Sequence, residues 1–223
     1  MIPPGPRTAL AAETTRLSQA LHTITAWDTP TRCTPWDAAG LTAHITMTIA
    51  RLDHMLDAPE PPEATVTAAG YYTPDQRFSP EGNRERIDTA TQAALAGGPA
   101  LTADFDATCH RILTRCATEP PGRRVYTRYD DPMTLDDFLT TRVLEAAVHG
   151  IDLADALDQP RWTTPEARHH LTALLLGPAH ESALADLGMD AVDFIAKATG
   201  RDPFGPSEKA RAESLGLTWL TLG

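Results

Sequence analysis

Residues 142–153 read Arg142-Val143-Leu144-Glu145-Ala146-Ala147-Val148-His149-Gly150-Ile151-Asp152-Leu153. Positions 142, 145, 149 and 152 are spaced three, four and three apart, the repeat of one face of an α-helix. That face carries Arg, Glu, His and Asp in a segment that is otherwise apolar. A helix of this kind fits a helical bundle, where sites are built from side chains on facing helices. Glu145 and His149 sit on adjacent turns, so one carboxylate oxygen and one imidazole nitrogen can reach the same ion. Such a donor set suits zinc or a similar first-row metal. Spacing alone leaves open the ordinary alternative, a solvated Glu–His surface pair.

A third ligand has to come from another helix. His44 is the candidate, because it lies mid-helix in the apolar stretch Leu41-Thr42-Ala43-His44-Ile45. Taken by itself, His44 reads first as a satisfied core histidine. A His, Glu, His set leaves coordination positions open for water or substrate. Asp152, one turn beyond His149, is placed to orient the ligand imidazole. His54 and His110 read as surface histidines, and His169-His170 as neighbours whose side chains point apart.

The rest of the chain divides at its prolines and glycines. Leu10, Leu17, Leu21 and Ile24 predict a helix over about 7–26, with Pro6 at its start. A second helix is expected over 37–56, capped by Thr34 or Asp37. Five prolines between 58 and 81 predict a long loop, with Tyr71-Tyr72 as its anchor or as lid aromatics. Helices follow over 83–95 and 101–118, with a break at Gly97-Gly98-Pro99. A short extended piece is expected at 125–129. Thr134-Leu135-Asp136-Asp137 caps the helix that bears Glu145 and His149, which should reach 157. Beyond Pro160, helices open at Thr164-Pro165 and run over 191–199, and residues 215–220 are expected as a strand. The expected fold is mainly α: a four-helix bundle over 1–158 and a smaller C-terminal region, α/β or helical, over 159–223.

Composition narrows the function. Formal net charge is −11, which argues against nucleic-acid or anionic-membrane surfaces, since both need clustered cations. No stretch approaches the roughly 18–20 apolar residues of a membrane span, and Met1–Arg7 lacks the apolar core of a signal peptide. A cytoplasmic protein is expected. Its three cysteines, Cys33, Cys109 and Cys116, form no disulfide framework. Cys109 and Cys116 share a helix face and read as buried core residues. Only two of the 19 basic residues are Lys, a bias that fits a GC-rich genome.

Three segments carry a family resemblance. Thr34-Pro35-Trp36-Asp37-Ala38-Ala39-Gly40-Leu41-Thr42-Ala43-His44 resembles the C-P-x-W-x-x-x-x-L-x-x-H segment of the mycothiol-dependent maleylpyruvate isomerase family. Residues 142–153 resemble that family's R-x-x-E-x-x-V-H-x-x-D-L, and Thr199-Gly200-Arg201-Asp202 its T-G-R-D. Thr34 stands where the family often has Cys, and Asp37 where a Thr cap is usual. The resemblance implies a DinB-like four-helix bundle with His44, Glu145 and His149 as ligands of zinc, nickel or another divalent ion. It also implies mycothiol as thiol cosubstrate and an actinobacterial source.

The function these readings point to is a metal-dependent thiol S-transferase, with a place in natural-product biosynthesis as one version. The alternatives are a thiol-dependent cis–trans isomerase of the maleylpyruvate type, a metal-dependent hydrolase, or a non-enzymatic metal-binding bundle. Arg142 and Asp152 are the candidate catalytic residues, and Arg84 and Arg201 the candidates for holding the cofactor through bidentate pairing with carboxylates. The expected partners are a small-molecule thiol and an electrophile, in a monomer or homodimer.

Overall fold

A computed structural model describes residues 4–73 and 79–220. Four long helices form the bundle: α1 (Pro6–Leu21), α2 (Ala38–Ala50), α5 (Gly98–Thr118) and α6 (Leu135–Ala156). Between them come α3 (Leu52–Asp57) and α4 (Pro80–Ala94), and a two-stranded antiparallel hairpin of β1 (Arg124–Tyr126) and β2 (Pro132–Thr134). After the bundle come α7 (Pro165–Leu176), α8 (His180–Leu187), α9 (Ala191–Ala198) and α10 (Pro206–Ser214). Among the described residues no helix is long and apolar enough to cross a membrane.

The bundle forms because each helix carries an apolar face at helical spacing. Leu10, Leu17 and Leu21 of α1 are buried against α6 and α5, and Leu41, Ile45 and Ile49 of α2 against α5 and α6. Helix α4 lies outside, across α2 and α5. The helix starts match the expected caps: Asp37 accepts from the Gly40 N–H at 2.8 Å, and Thr134 and Thr164 cap α6 and α7. Gly98 is required by a close approach, because a Cβ there would fall inside the Trp27 indole. The expected 37–56 helix is interrupted at Arg51.

The proline-rich segment is a loop with one 3-10 turn at Gly70–Tyr72 as far as it is described, α4 already starting at Pro80; Pro74 lies outside the described residues. Its second half is stitched to α6. The Ala68 N–H donates to Asp137 at 3.0 Å, and the Tyr72 hydroxyl donates to the Thr141 carbonyl at 3.1 Å. Tyr71 and Tyr72 are both buried, so the pair anchors the loop.

The region after 158 packs on α1 and α6. Buried Glu13 of α1 accepts from the N–H and hydroxyl of Thr164 at 2.8 and 2.7 Å. Leu171, Leu175, Phe194 and Ile195 belong to the same apolar cluster as Leu10 and Leu17. The expected strand at 215–220 is not formed: α10 ends at Ser214, and 217–220 are irregular. One backbone bond, from Thr218 to Leu175 at 2.8 Å, ties this stretch down. With no neighbouring strand among the described residues, an extended segment has no ladder to join. Helices α8 and α10 were not anticipated. Cys109 and Cys116 are buried on α5, and burial pushes their thiols up to about 12 and about 11.

Candidate metal centre

Helices α2 and α6 bring three ligand-bearing side chains together. Nε2 of His44 lies 3.8 Å from Glu145 Oε2, and Nε2 of His149 lies 3.3 Å from the same oxygen. The two imidazoles stand nearly perpendicular, with centroids 5.3 Å apart. Both histidines are buried, and Trp36 stacks on His44 at 4.4 Å. Nδ1 of His44 is buried without a hydrogen-bond partner among the described residues, so the ring's polar engagement is through Nε2.

Behind His149 the side chains interlock. Nδ1 of His149 lies 2.9 Å from Asp152 Oδ2. Asp152 is fully buried and is gripped by Arg201 through Nε at 3.1 Å and a second nitrogen at 2.9 Å. The Cys33 thiol donates to Asp152 Oδ2 at 3.2 Å, and Arg32 lies 3.6 Å from Oδ1. Asp152 therefore sits below the site and orients His149, while Arg201 is engaged with Asp152. On the other side, Glu145 Oε1 has the Tyr72 hydroxyl at 3.4 Å and the buried guanidinium of Arg142 at 3.9 Å.

Burial and pairing set the charges. Burial pulls the His44 imidazole down to about 4, against the pull of Glu145, so His44 is neutral at pH 7. Burial lowers His149 too, but its bonds to Asp152, Cys33 and Glu145 outweigh burial and hold it well above the usual histidine range. Burial would raise Glu145, yet His149, His44 and Arg142 together hold it well below the usual carboxylate range. Asp152 is likewise lowered, burial being overcome by His149 and Arg201.

The three residues fit a divalent ion. One ligand atom from each lies within 4.8 Å of the others. Donors about 2.0–2.2 Å from a tetrahedral ion sit roughly 3.3–3.6 Å apart, close to the two distances to Glu145. The outer bond from Asp152 to Nδ1 of His149 is the contact that orients a ligand imidazole.

The centre forms one wall of a cavity of about 440 Å³. Arg142 and Arg201 line it, as do Arg32, Cys33, Arg51 and Arg86. The expectation of Arg84 is corrected: Arg84 is exposed, and α4 presents Arg86 instead. Two residues along a helix turn a side chain by about 200°. Arg51 and Arg86 have no carboxylate partner among the described residues, and burial with nearby Arg142 and Arg128 lowers Arg51 to about 10. Sequence reasoning missed Arg51, although positions 44, 48 and 51 share a helix face. It also missed Cys33 as a site residue, for which no local signal exists. His54 and His110 are exposed. His169 and His170 do point apart: His170 reaches Thr140 at 2.9 Å, and His169 reaches Glu181 at 3.5 Å.

Residues 8–154 match the family model described as mycothiol maleylpyruvate isomerase N-terminal domain. Two uncharacterized proteins, from two strains of Mycobacterium tuberculosis, are 29% identical over 172 residues, covering 75% of this chain and 63% of theirs. The chain thus spans less than two thirds of the length of these relatives. A crystal structure of a mycothiol-dependent maleylpyruvate isomerase superposes with a TM-score of 0.57 at 14% identity, covering 90% of each chain. That likeness is one of fold.

Proposed function

The chain belongs to the family of the mycothiol maleylpyruvate isomerase N-terminal domain, and on that premise we propose that it is a metal-dependent enzyme of thiol transfer using mycothiol or a similar low-molecular-weight thiol. The observation that carries this reading is the convergence of His44, Glu145 and His149 on one wall of an arginine-lined cavity. In this reading residues 1–158 are the metal-binding bundle, and 159–223 the C-terminal region that supplies Arg201. The protein acts in the cytoplasm, where thiols are kept reduced.

A divalent ion held by these residues supplies the positive charge that favours thiolate over thiol, whose ordinary pKa is about 8.5. The chain's own residues do the rest. Asp152, clamped by Arg201, holds Nδ1 of His149 and aims Nε2 at the cavity. Arg142 helps to hold Glu145 in its ionised form. Arg51 and Arg86 offer guanidinium groups to a carboxylate on the substrate, leaving its electrophilic carbon toward the sulfur. The sulfur lone pair forms a C–S bond: on an alkene conjugated to a carbonyl the displaced π pair becomes an enolate, which takes a proton from water to give the thioether of S-transfer, and on a carbon bearing a leaving group the displaced pair departs with that group.

A second reading is cis–trans isomerisation, in which the C–S bond breaks again after rotation and the thiol is returned. Arg51 and Arg86, cavity arginines without carboxylate partners among the described residues, favour it, since such a site suits a substrate with more than one carboxylate. One experiment tests both. Zinc-loaded protein is incubated with a carboxylate-bearing electrophile such as maleylpyruvate, with and without mycothiol, and the products are identified by mass spectrometry. Thiol-dependent turnover that is lost in His149→Ala is expected: a thioether product means S-transfer, and a product of unchanged mass that separates from the substrate on chromatography means isomerisation. Equal turnover without thiol would contradict the proposal and leave a hydrolase.

A further inference from the structure

A second cluster of metal-ligating side chains lies at the corner between α7 and α8. His169 on α7 and His180 and Glu181 at the start of α8 each offer one ligand atom, all within 4.8 Å of one another. The imidazoles of His169 and His180 stand nearly perpendicular with centroids 4.6 Å apart, and His169 Nδ1 is 3.5 Å from Glu181 Oε1. A lone pair of His169 and exposed Glu181 would be a weak surface contact. His180 makes the difference, because it is buried and its ring is oriented.

The orientation follows from Thr172, which is 1% exposed. Its hydroxyl lies 2.7 Å from the Arg168 carbonyl and 2.8 Å from His180 Nδ1. A hydroxyl has one proton, and the carbonyl, which can only accept, takes it. Thr172 therefore accepts from Nδ1–H of His180. That fixes the tautomer with the lone pair on Nε2, which has no hydrogen-bond partner among the described residues. A ligand histidine bound through one nitrogen and held by a hydrogen bond at the other has this arrangement.

We propose that His169, His180 and Glu181 form a second divalent-cation site, separate from the His44–Glu145–His149 centre, that takes zinc or a similar first-row ion and ties α8 to α7. Two imidazoles, one carboxylate and open positions for water are the donor set such ions accept. The bound ion bridges the Gly177-Pro178-Ala179 turn, so it stabilises the folded chain by mass action.

The test is zinc stoichiometry after equilibrium dialysis of the full chain, read by elemental analysis, with thermal melting alongside. The wild type is expected to hold two zinc ions, and His149→Ala and His169→Ala one each. Zinc should raise the Tm of His149→Ala, and the rise should vanish in the His149→Ala/His169→Ala double variant. His169 is only half-buried, so its replacement leaves the core intact, and Glu181→Gln gives a milder check with weakened binding. If the wild type and His149→Ala each hold one ion and His169→Ala none, this site stands and the central one falls. If His149→Ala holds no zinc, or His169→Ala holds as much as the wild type, the second site is refuted.

Discussion

Asp152 Oδ2 lies 2.9 Å from Nδ1 of His149, while Nε2 of the same ring lies 3.3 Å from Glu145. One carboxylate thus orients the ring that shares a candidate metal site with the other. Asp152→Asn keeps the shape and removes the charge. Metal affinity, followed by competition with a chelator, should fall by about 10–100-fold, the usual cost of losing such a contact. Unchanged affinity would remove Asp152 from this role.

Metal binding should expel a proton. Both imidazoles must be neutral to bind a metal ion. His44, lowered to about 4, is already neutral at pH 7, whereas His149 is held protonated by Asp152, Cys33 and Glu145 against the effect of burial. Calorimetric zinc titrations of the His169→Ala chain at pH 7, in buffers of different ionisation enthalpy, should report close to one proton released per ion. Release of two, or of none, would contradict this charge assignment.

The metal-free protein should be most stable near pH 6.5. His44 has a lowered pKa in the folded state, so its contribution is present above the unfolded value of 6.5 and is lost as pH falls toward about 4. That loss is on the order of 3 kcal/mol. His149 has a raised pKa, so its contribution is complete below 6.5 and is lost as pH rises through the raised value. Glu145, lowered, adds a further loss below its ordinary 4.5. Urea midpoints measured in chelator across pH should trace this profile. In His44→Gln the decline between 6.5 and 4 should flatten.

Arg51 and Arg86, cavity arginines without carboxylate partners among the described residues, carry the prediction about substrate. Arg51→Gln and Arg86→Gln should each raise KM for a carboxylate-bearing electrophile by about 10–100-fold, the range of one charged hydrogen bond. They should leave kcat less affected, as for binding shared by ground and transition states. Steady-state kinetics on the zinc-loaded enzyme make the measurement. A fall in kcat at constant KM would move these residues from binding to chemistry.

The bundle was legible because its signals are local. Thr134 and Thr164 cap α6 and α7 as their sequence context predicts, and Gly200 follows α9. The approach of His44 to Glu145 and His149 was legible through spacing on α6 and through His44 in its motif. What could not be read depends on tertiary approach. Cys33 reaches Asp152 across 119 residues, and Arg201 across 49. Arg84 and Arg86 differ by two residues in a mostly polar helix, where periodicity does not mark the inward face. The expected terminal strand failed because strand propensity needs a sheet to join.

The most direct test of the central claim is thiol ligation at the His44–Glu145–His149 centre. The measurement is the absorption spectrum of the cobalt-substituted protein during titration with mycothiol. A sulfur-to-cobalt charge-transfer band should grow to saturation with one thiol per chain, be retained in His169→Ala and be lost in His149→Ala. A spectrum that does not change on addition of the thiol, or a band that persists undiminished in His149→Ala, would contradict it.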